Sequence, residues 1–246
     1  MPTDPFLGIA DPISAATHML GAVVAAMALP GLLRHAPAAV HARLAFAVFG
    51  LTCVLLLATS GIYHAMPHGT AARELFQRLD HAAIFLLIAG CYTPVHTWLF
   101  RGPLRWGVLA GVWTLAIAGL TVKSIFFAHV PESAGLAAYL LLGWLGLGTG
   151  WILWRHHGLW YIAVPLLGGL AFSVGGIVGA IGAPNPIPGI VGSHELFHLA
   201  SLAGIFTFWR FMTHRVARIE PIGDPFAGRG PGDAPTAPAA AGQRAY

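Results

Sequence analysis

The sequence predicts an all-α fold: a polytopic membrane protein whose helices form a seven-transmembrane bundle. Three observations lead there. Hydrophobic residues make up 57% of the 246 and charged ones only 9%, whereas a soluble domain carries roughly 25% charged residues. Apolar stretches of about 20 residues, the length that crosses a bilayer core, recur seven times. The few charges fall in the gaps between them.

The first stretch, 16–33, contains Pro30, and the second, 42–65, ends in ATSGIYHAM. The third, 80–100, opens at Asp80 and contains Pro94; the fourth, 103–122, stops before Lys123. The fifth, 135–154, carries GLGTG, and the sixth, 159–182, carries Pro165 and GGLAFSVGGIVGAIG. The seventh, 190–213, opens on GSHELFHLA. Internal proline is tolerated in lipid-embedded helices because neighbouring groups satisfy the freed carbonyls, and the Gly and Ala content permits close helix contact. Trp98, Trp106, Trp151, Trp154, Trp160 and Trp209 lie near the expected ends, as an interfacial aromatic belt requires. Residues 1–215 are read as one transmembrane domain. From 216 to 246 the composition turns to Pro, Gly, Ala and scattered charge, which buries too little apolar surface to order itself, so a disordered tail is expected.

The net charge of +4 forms no continuous basic face, which argues against nucleic-acid binding and assigns the charges to membrane orientation. With seven spans, the first, third and fifth loops share a side with the C-terminus. That side holds Arg34, Arg43, Arg101, Arg105, Arg155, Arg210, Arg215 and Arg218, against Arg73, Arg78 and Lys123 on the other. The positive-inside rule then places the C-terminus in the cytoplasm and the N-terminus outside. Cys53 and Cys91 fall inside apolar runs and read as core residues. The segment MPTDPFLGIADP has acids where a signal peptide has basic residues, so no cleaved leader is expected.

The candidate chemistry gathers where the second span ends and the third and seventh begin. Ser60 and His64 are four residues apart, as are His194 and His198, so each pair shares a helix face. Asp80 opens the third span. These three ends lie on one side of the membrane, so His64, Asp80, His194 and His198 are expected at one depth. Three neutral imidazoles with an open fourth position form a catalytic zinc arrangement. Asp80 is expected to orient or deprotonate the water, and Ser60 to support it or to stabilise an oxyanion. Such a set suits hydrolysis of an amide or ester.

Two plainer readings compete. Asp80 alone is explained as a helix N-cap at the interface, and His18, His41, His68, His96, His129, His156, His157 and His214 read as ordinary interfacial residues. His194-Glu195-Leu196-Phe197-His198 also matches the HExxH pattern of metalloproteases, in which Glu195 would be the general base.

These residues resemble a known family, the bacterial hemolysin III proteins, relatives of the progestin and adipoQ receptors and more distantly of alkaline ceramidases. The resemblance rests on ISAATHMLG, ATSGIYHA, LDHAAIFLLIAGCYTPV and GSHELFHLASLAG, and covers most of the chain. It implies a seven-helix fold with zinc on His64, His194 and His198 near one membrane face, Asp80 bonded to the zinc water and Ser60 beside it. It also implies a multi-pass protein of the bacterial plasma (inner) membrane. The first-span motif departs from the family pattern, with Asp11 and Ser14 where Glu and Asn are common. The orientation departs as well: in the adiponectin receptors the N-terminus and zinc face the cytoplasm.

Three functions follow as expectations. The first is a zinc-dependent hydrolase of a lipid amide or ester, ceramide-like or fatty-acyl, with a membrane lipid as substrate. The second is a receptor or lipid-homeostasis sensor with structural zinc. The third is a cytolytic or pore-forming protein, for which no span offers a polar stripe fit to line a channel.

Overall fold

The computed structural model describes residues 8–222. Among them lie eight α-helices: α1 Pro12–His35, α2 Val40–Ala65, α3 Ala71–Leu99, α4 Gly102–Ile125, α5 Glu132–Trp144, α6 Gly146–His157, α7 Leu159–Ile181 and α8 Ser193–His214. α5 and α6 together form one 26-residue span, so the described residues make seven rods. Six of these are long and apolar enough to cross a membrane, and α8 is the exception by composition. Glu195, Arg210 and three histidines lower its hydropathy, yet it packs along α7 and against α1 and so stands within the bundle.

Sequence neighbours pack on one another from α1 to α4, α7 packs on α8, and the α1–α8 contact joins the two groups. A core of Phe46, Phe49, Leu57, Leu99, Phe211 and Met212 fills the space between them. The outward faces stay apolar: Met27, Leu141, Trp160 and Ile181 are among the exposed large hydrophobics. In water so much greasy surface would drive association; around a membrane bundle it is the lipid-facing surface.

Gly61 lets α2 lie directly on the α1 backbone, since a Cβ there would stand 2.9 Å from the Met19 backbone nitrogen. The break between α5 and α6 at Leu145 lies next to a side chain of α3. The Tyr92 hydroxyl of α3 lies 2.9 Å from the Leu142 carbonyl and 2.8 Å from that of Gly143. Its single hydrogen donates to one of the two at a time.

Two elements differ from the sequence expectation. α3 starts at Ala71, well before Asp80, with the Thr70 side chain accepting from the Arg73 N–H at 3.2 Å as its N-cap. Residues 71–79 are amphipathic rather than apolar, so a search for membrane spans stops short of them. Asp80 is therefore inside the helix and not its cap. After α8, residues 216–222 remain on the bundle: Val216 is buried, the Trp98 indole donates to the Ile219 carbonyl at 3.0 Å, and the Ile222 N–H donates to the Leu99 carbonyl at 2.7 Å. The remainder of the expected tail, 223–246, lies outside the described residues.

Candidate metal centre

The C-terminal end of α2 and the N-terminal ends of α1, α3 and α8 meet at one end of the bundle. His64 lies in the last turn of α2, 2% exposed. His194 and His198 lie one turn apart at the start of α8, His198 1% exposed and His194 on the open side. The three side chains bring ring nitrogens within 4.8 Å of one another, and this group could hold a metal ion. His194 Nε2 lies 3.2 Å from His64 Nε2 and 3.1 Å from His198 Nε2.

Hydrogen bonding alone does not account for this convergence. A ring nitrogen either carries a hydrogen and donates or offers one in-plane lone pair and accepts. His194 Nε2 therefore cannot bond both neighbours at once. Tetrahedral ligation at roughly 2.0–2.1 Å per nitrogen separates the donors by about 3.3–3.4 Å, close to the distances seen here.

A second layer holds His64. The Asp11 carboxylate, at the start of α1, lies 3.0 Å from His64 Nδ1, so Nδ1 carries the hydrogen and Nε2 turns its lone pair toward the other two histidines. Arg73 Nη2 donates to the same Asp11 oxygen at 2.6 Å, and its Nη1 donates to the Met66 and Tyr63 carbonyls at 2.7 and 3.2 Å. The Asp11 backbone N–H donates to the His64 carbonyl at 3.0 Å, completing the tie between α1 and α2. Burial alone would push the Asp11 carboxyl up, but the hydrogen bonds from His64 and Arg73 outweigh it and hold the group well below the usual carboxylate range. Asp11 accordingly does not cap α1 with its side chain, although it occupies the N-cap position.

His198 is braced by His18 of α1. The two rings stack at 3.8 Å with 21° between their planes, and His18 Nε2 approaches the His198 carbonyl at 3.4 Å.

A cavity of about 410 Å³ opens beside these residues and reaches through the bundle to His96 and Phe211. Ser60, Asp80 and His194 line its upper part, with the Ser60 hydroxyl facing the Asp80 carboxyl. Asp80 is not part of the ligand group. Glu195 is elsewhere again: one carboxylate oxygen accepts the Gly192 N–H at 2.8 Å, and the other accepts the Ser14 hydroxyl at 2.9 Å. It caps its own helix and ties α8 to α1, which removes it from the role that the HExxH pattern would give it.

The model of the family described as "Haemolysin-III related" matches residues 9–209. The chain belongs to that family. Among its similar relatives, the Bacillus cereus "Hemolysin-3" is 40% identical over 196 residues, covering 78% of this chain and 84% of that protein. The Bacillus subtilis (strain 168) "Hemolysin-3 homolog" is 31% identical over 166 residues, 67% of this chain and 77% of that one. An Arabidopsis thaliana "Heptahelical transmembrane protein 4" is 31% identical over 179 residues, 67% of this chain and 46% of the plant protein. This haemolysin-III related chain is thus a multi-pass membrane protein, with a histidine triad at one end.

Sequence reasoning brought the three histidines together correctly, but it passed over their supports. Arg73 was counted only as a loop charge and His18 was read as interfacial. Asp11 and Ser14 stood out only as departures from a family motif. The one available signal was their spacing: Asp11, Ser14 and His18 follow at helical intervals of three and four, which puts them on one face of α1.

Proposed function

We propose that this protein is a zinc-dependent hydrolase of the plasma membrane that cleaves an amide or ester bond in a lipid. One observation carries the reading: a three-imidazole donor set stands at the head of a largely apolar cavity, with a carboxyl and a hydroxyl group between them. The donor set suits zinc, which takes neutral imidazole nitrogens and, in catalytic sites, keeps a fourth position open. Bound by His64, His194 and His198, zinc supplies Lewis acidity and makes hydroxide accessible near neutral pH.

The remaining work falls to the chain's own residues. Asp80 accepts the proton of the attacking water and delivers it to the departing amine or alkoxide. Ser60, facing Asp80, orients that carboxyl or donates to the carbonyl oxygen as it gains charge. Asp11 fixes the His64 tautomer, and His18 holds the His198 ring. The cavity takes the acyl chain; its volume falls in the range of about 300–1,000 Å³ common for small-molecule sites.

A receptor with structural metal is the second reading, favoured by ligands on both α2 and α8, which would make the ion a clasp between the two ends of the chain. The "Hemolysin-3" name of the bacterial relatives suggests lysis, but among the described residues the outward faces are apolar and the cavity lining is mostly apolar, which does not suit an open water-filled pore. Metal analysis with lipid-product mass spectrometry decides among them. Wild-type protein should carry about one zinc per chain and release a free fatty acid from a lipid pool, and Asp80→Asn should keep the zinc and lose the product. Bound zinc with no product from any pool would overturn the hydrolase reading.

A further inference from the structure

The same cavity contains a lysine that the proposed chemistry does not use. Lys123 lies in the last turn of α4 and is only 3% exposed. Near a membrane face, a lysine ordinarily extends its charged end outward to water. This one turns inward, lining the cavity that Asp80 and His194 also line.

Its amino group has three N–H donors and, among the described residues, one hydrogen-bond acceptor, the Val130 carbonyl at 3.3 Å. The Phe127 ring lies 4.7 Å away. Among the described residues no carboxylate forms an ion pair with it; Glu132 lines the cavity but is exposed in the first turn of α5. Space for the amine comes from Gly135, where even an added Cβ would stand 3.7 Å from Nζ. A chain of contacts leads from here toward the metal end: the His81 ring also packs on Phe127, edge-on at 5.2 Å, and His81 Nδ1 lies 3.9 Å from the Asp80 carboxylate. A buried ammonium group with so few partners is unfavourable unless something neutralises it.

We propose that Lys123 is the anion subsite of the cavity, receiving the phosphate or carboxylate of a single-chain lipid whose hydrocarbon lies in the apolar depth. This rests on the reading of the cavity as a lipid site, and it narrows the ligand class to lipids with an anionic headgroup. The Val130 carbonyl and Phe127 face hold the ammonium group in place, and the two remaining N–H donors reach the anion. Arg78, whose guanidinium lies 5.8 Å from the Phe127 ring, adds positive charge at the rim.

The test uses the full-length protein in nanodiscs and three probes: a monoacylglycerol phosphate, the matching monoacylglycerol and inorganic phosphate. Binding is read by competition in native mass spectrometry. Wild type should prefer the phosphate lipid by about tenfold or more, as a charge-assisted hydrogen bond implies. Lys123→Met should remove that preference while binding the neutral lipid as before, which shows that its cavity is intact, and Lys123→Arg should restore it. Inorganic phosphate should not compete at lipid concentrations. The proposal is overturned if wild type shows no preference, if Lys123→Met keeps it, or if inorganic phosphate competes as well as the lipid. Preference without any hydrolysis by the wild type would leave the anion subsite standing and remove the hydrolase reading alone.

Discussion

Removing the Asp11 carboxylate should weaken metal binding without touching a ligand. In Asp11→Ala, the His64 Nδ1–H loses its acceptor, 3.0 Å away, in a side chain 3% exposed, so water cannot readily replace it. Arg73 loses its bond to Asp11 as well but keeps the Tyr63 and Met66 carbonyls, so the metal site feels chiefly the missing bond to His64. A hydrogen bond to a charged group contributes about 1.5–3 kcal/mol, which is roughly 10- to 150-fold in affinity. That matches the 10- to 100-fold losses typical when a partner of a ligating histidine is removed. Competitive titration against a chromophoric chelator measures the change. Asp11→Asn, which still offers an oxygen, should fall between wild type and Asp11→Ala. An Asp11→Ala affinity within about twofold of wild type would refute the role assigned to this carboxylate, provided that metal-free thermal stability is unchanged.

Other expectations follow from the same contacts. Gly61→Ala should cost about 1–3 kcal/mol because its methyl meets the Met19 backbone, seen as a lower Tm; an unchanged Tm would mean that α1 and α2 separate freely. Asp11 has a depressed carboxyl pKa in the folded chain, so its contribution is complete above about pH 4, the unfolded value, and is lost as pH falls below it. Asp11→Asn should therefore flatten the acid limb of the stability curve, and identical limbs would contradict this. Glu195→Gln should lower the Tm by weakening the cap of α8 yet retain lipid turnover; if it alone abolished activity while Asp80→Asn did not, the protease pattern would be the better description. A cysteine at exposed His68, beside the metal end, should react with an impermeant maleimide in intact cells, and one at exposed His157 should not. The reverse pattern would place the metal end in the cytoplasm.

How much was legible in the sequence depended on what kind of signal each part leaves. Apolar runs long enough for a bilayer mark themselves, so the rods were readable except where helix continued past the apolar part, as at Ala71, or bent inside a run, as at Leu145. The break at Leu145 falls inside a continuous apolar run, where a hydroxyl from another helix, Tyr92, meets the α5 carbonyls, so the run itself does not mark it. The histidine triad was readable because two of its members share a helix face and the third lies at a span end on the same side. Its supports were not, because Asp11 and Arg73 are ordinary interfacial charges until α1, α2 and α3 come together. The Glu195 role was misleading for the same reason: the motif fixes its spacing, but its hydrogen bonds are set by Ser14 and Gly192.

The triad joins residues separated by 130 positions in the chain, His64 and His194. During synthesis, therefore, the second helix must wait in the bilayer through four further rods before the other two histidines of the group emerge. The helix that brings them is also the one too polar to enter lipid readily by itself, so it is expected to insert against α7 and α1 already in place. Closure of the histidine group then becomes the last event of assembly, and a ribosome stalled before residue 193 would leave a nearly complete bundle with one of its three candidate ligands.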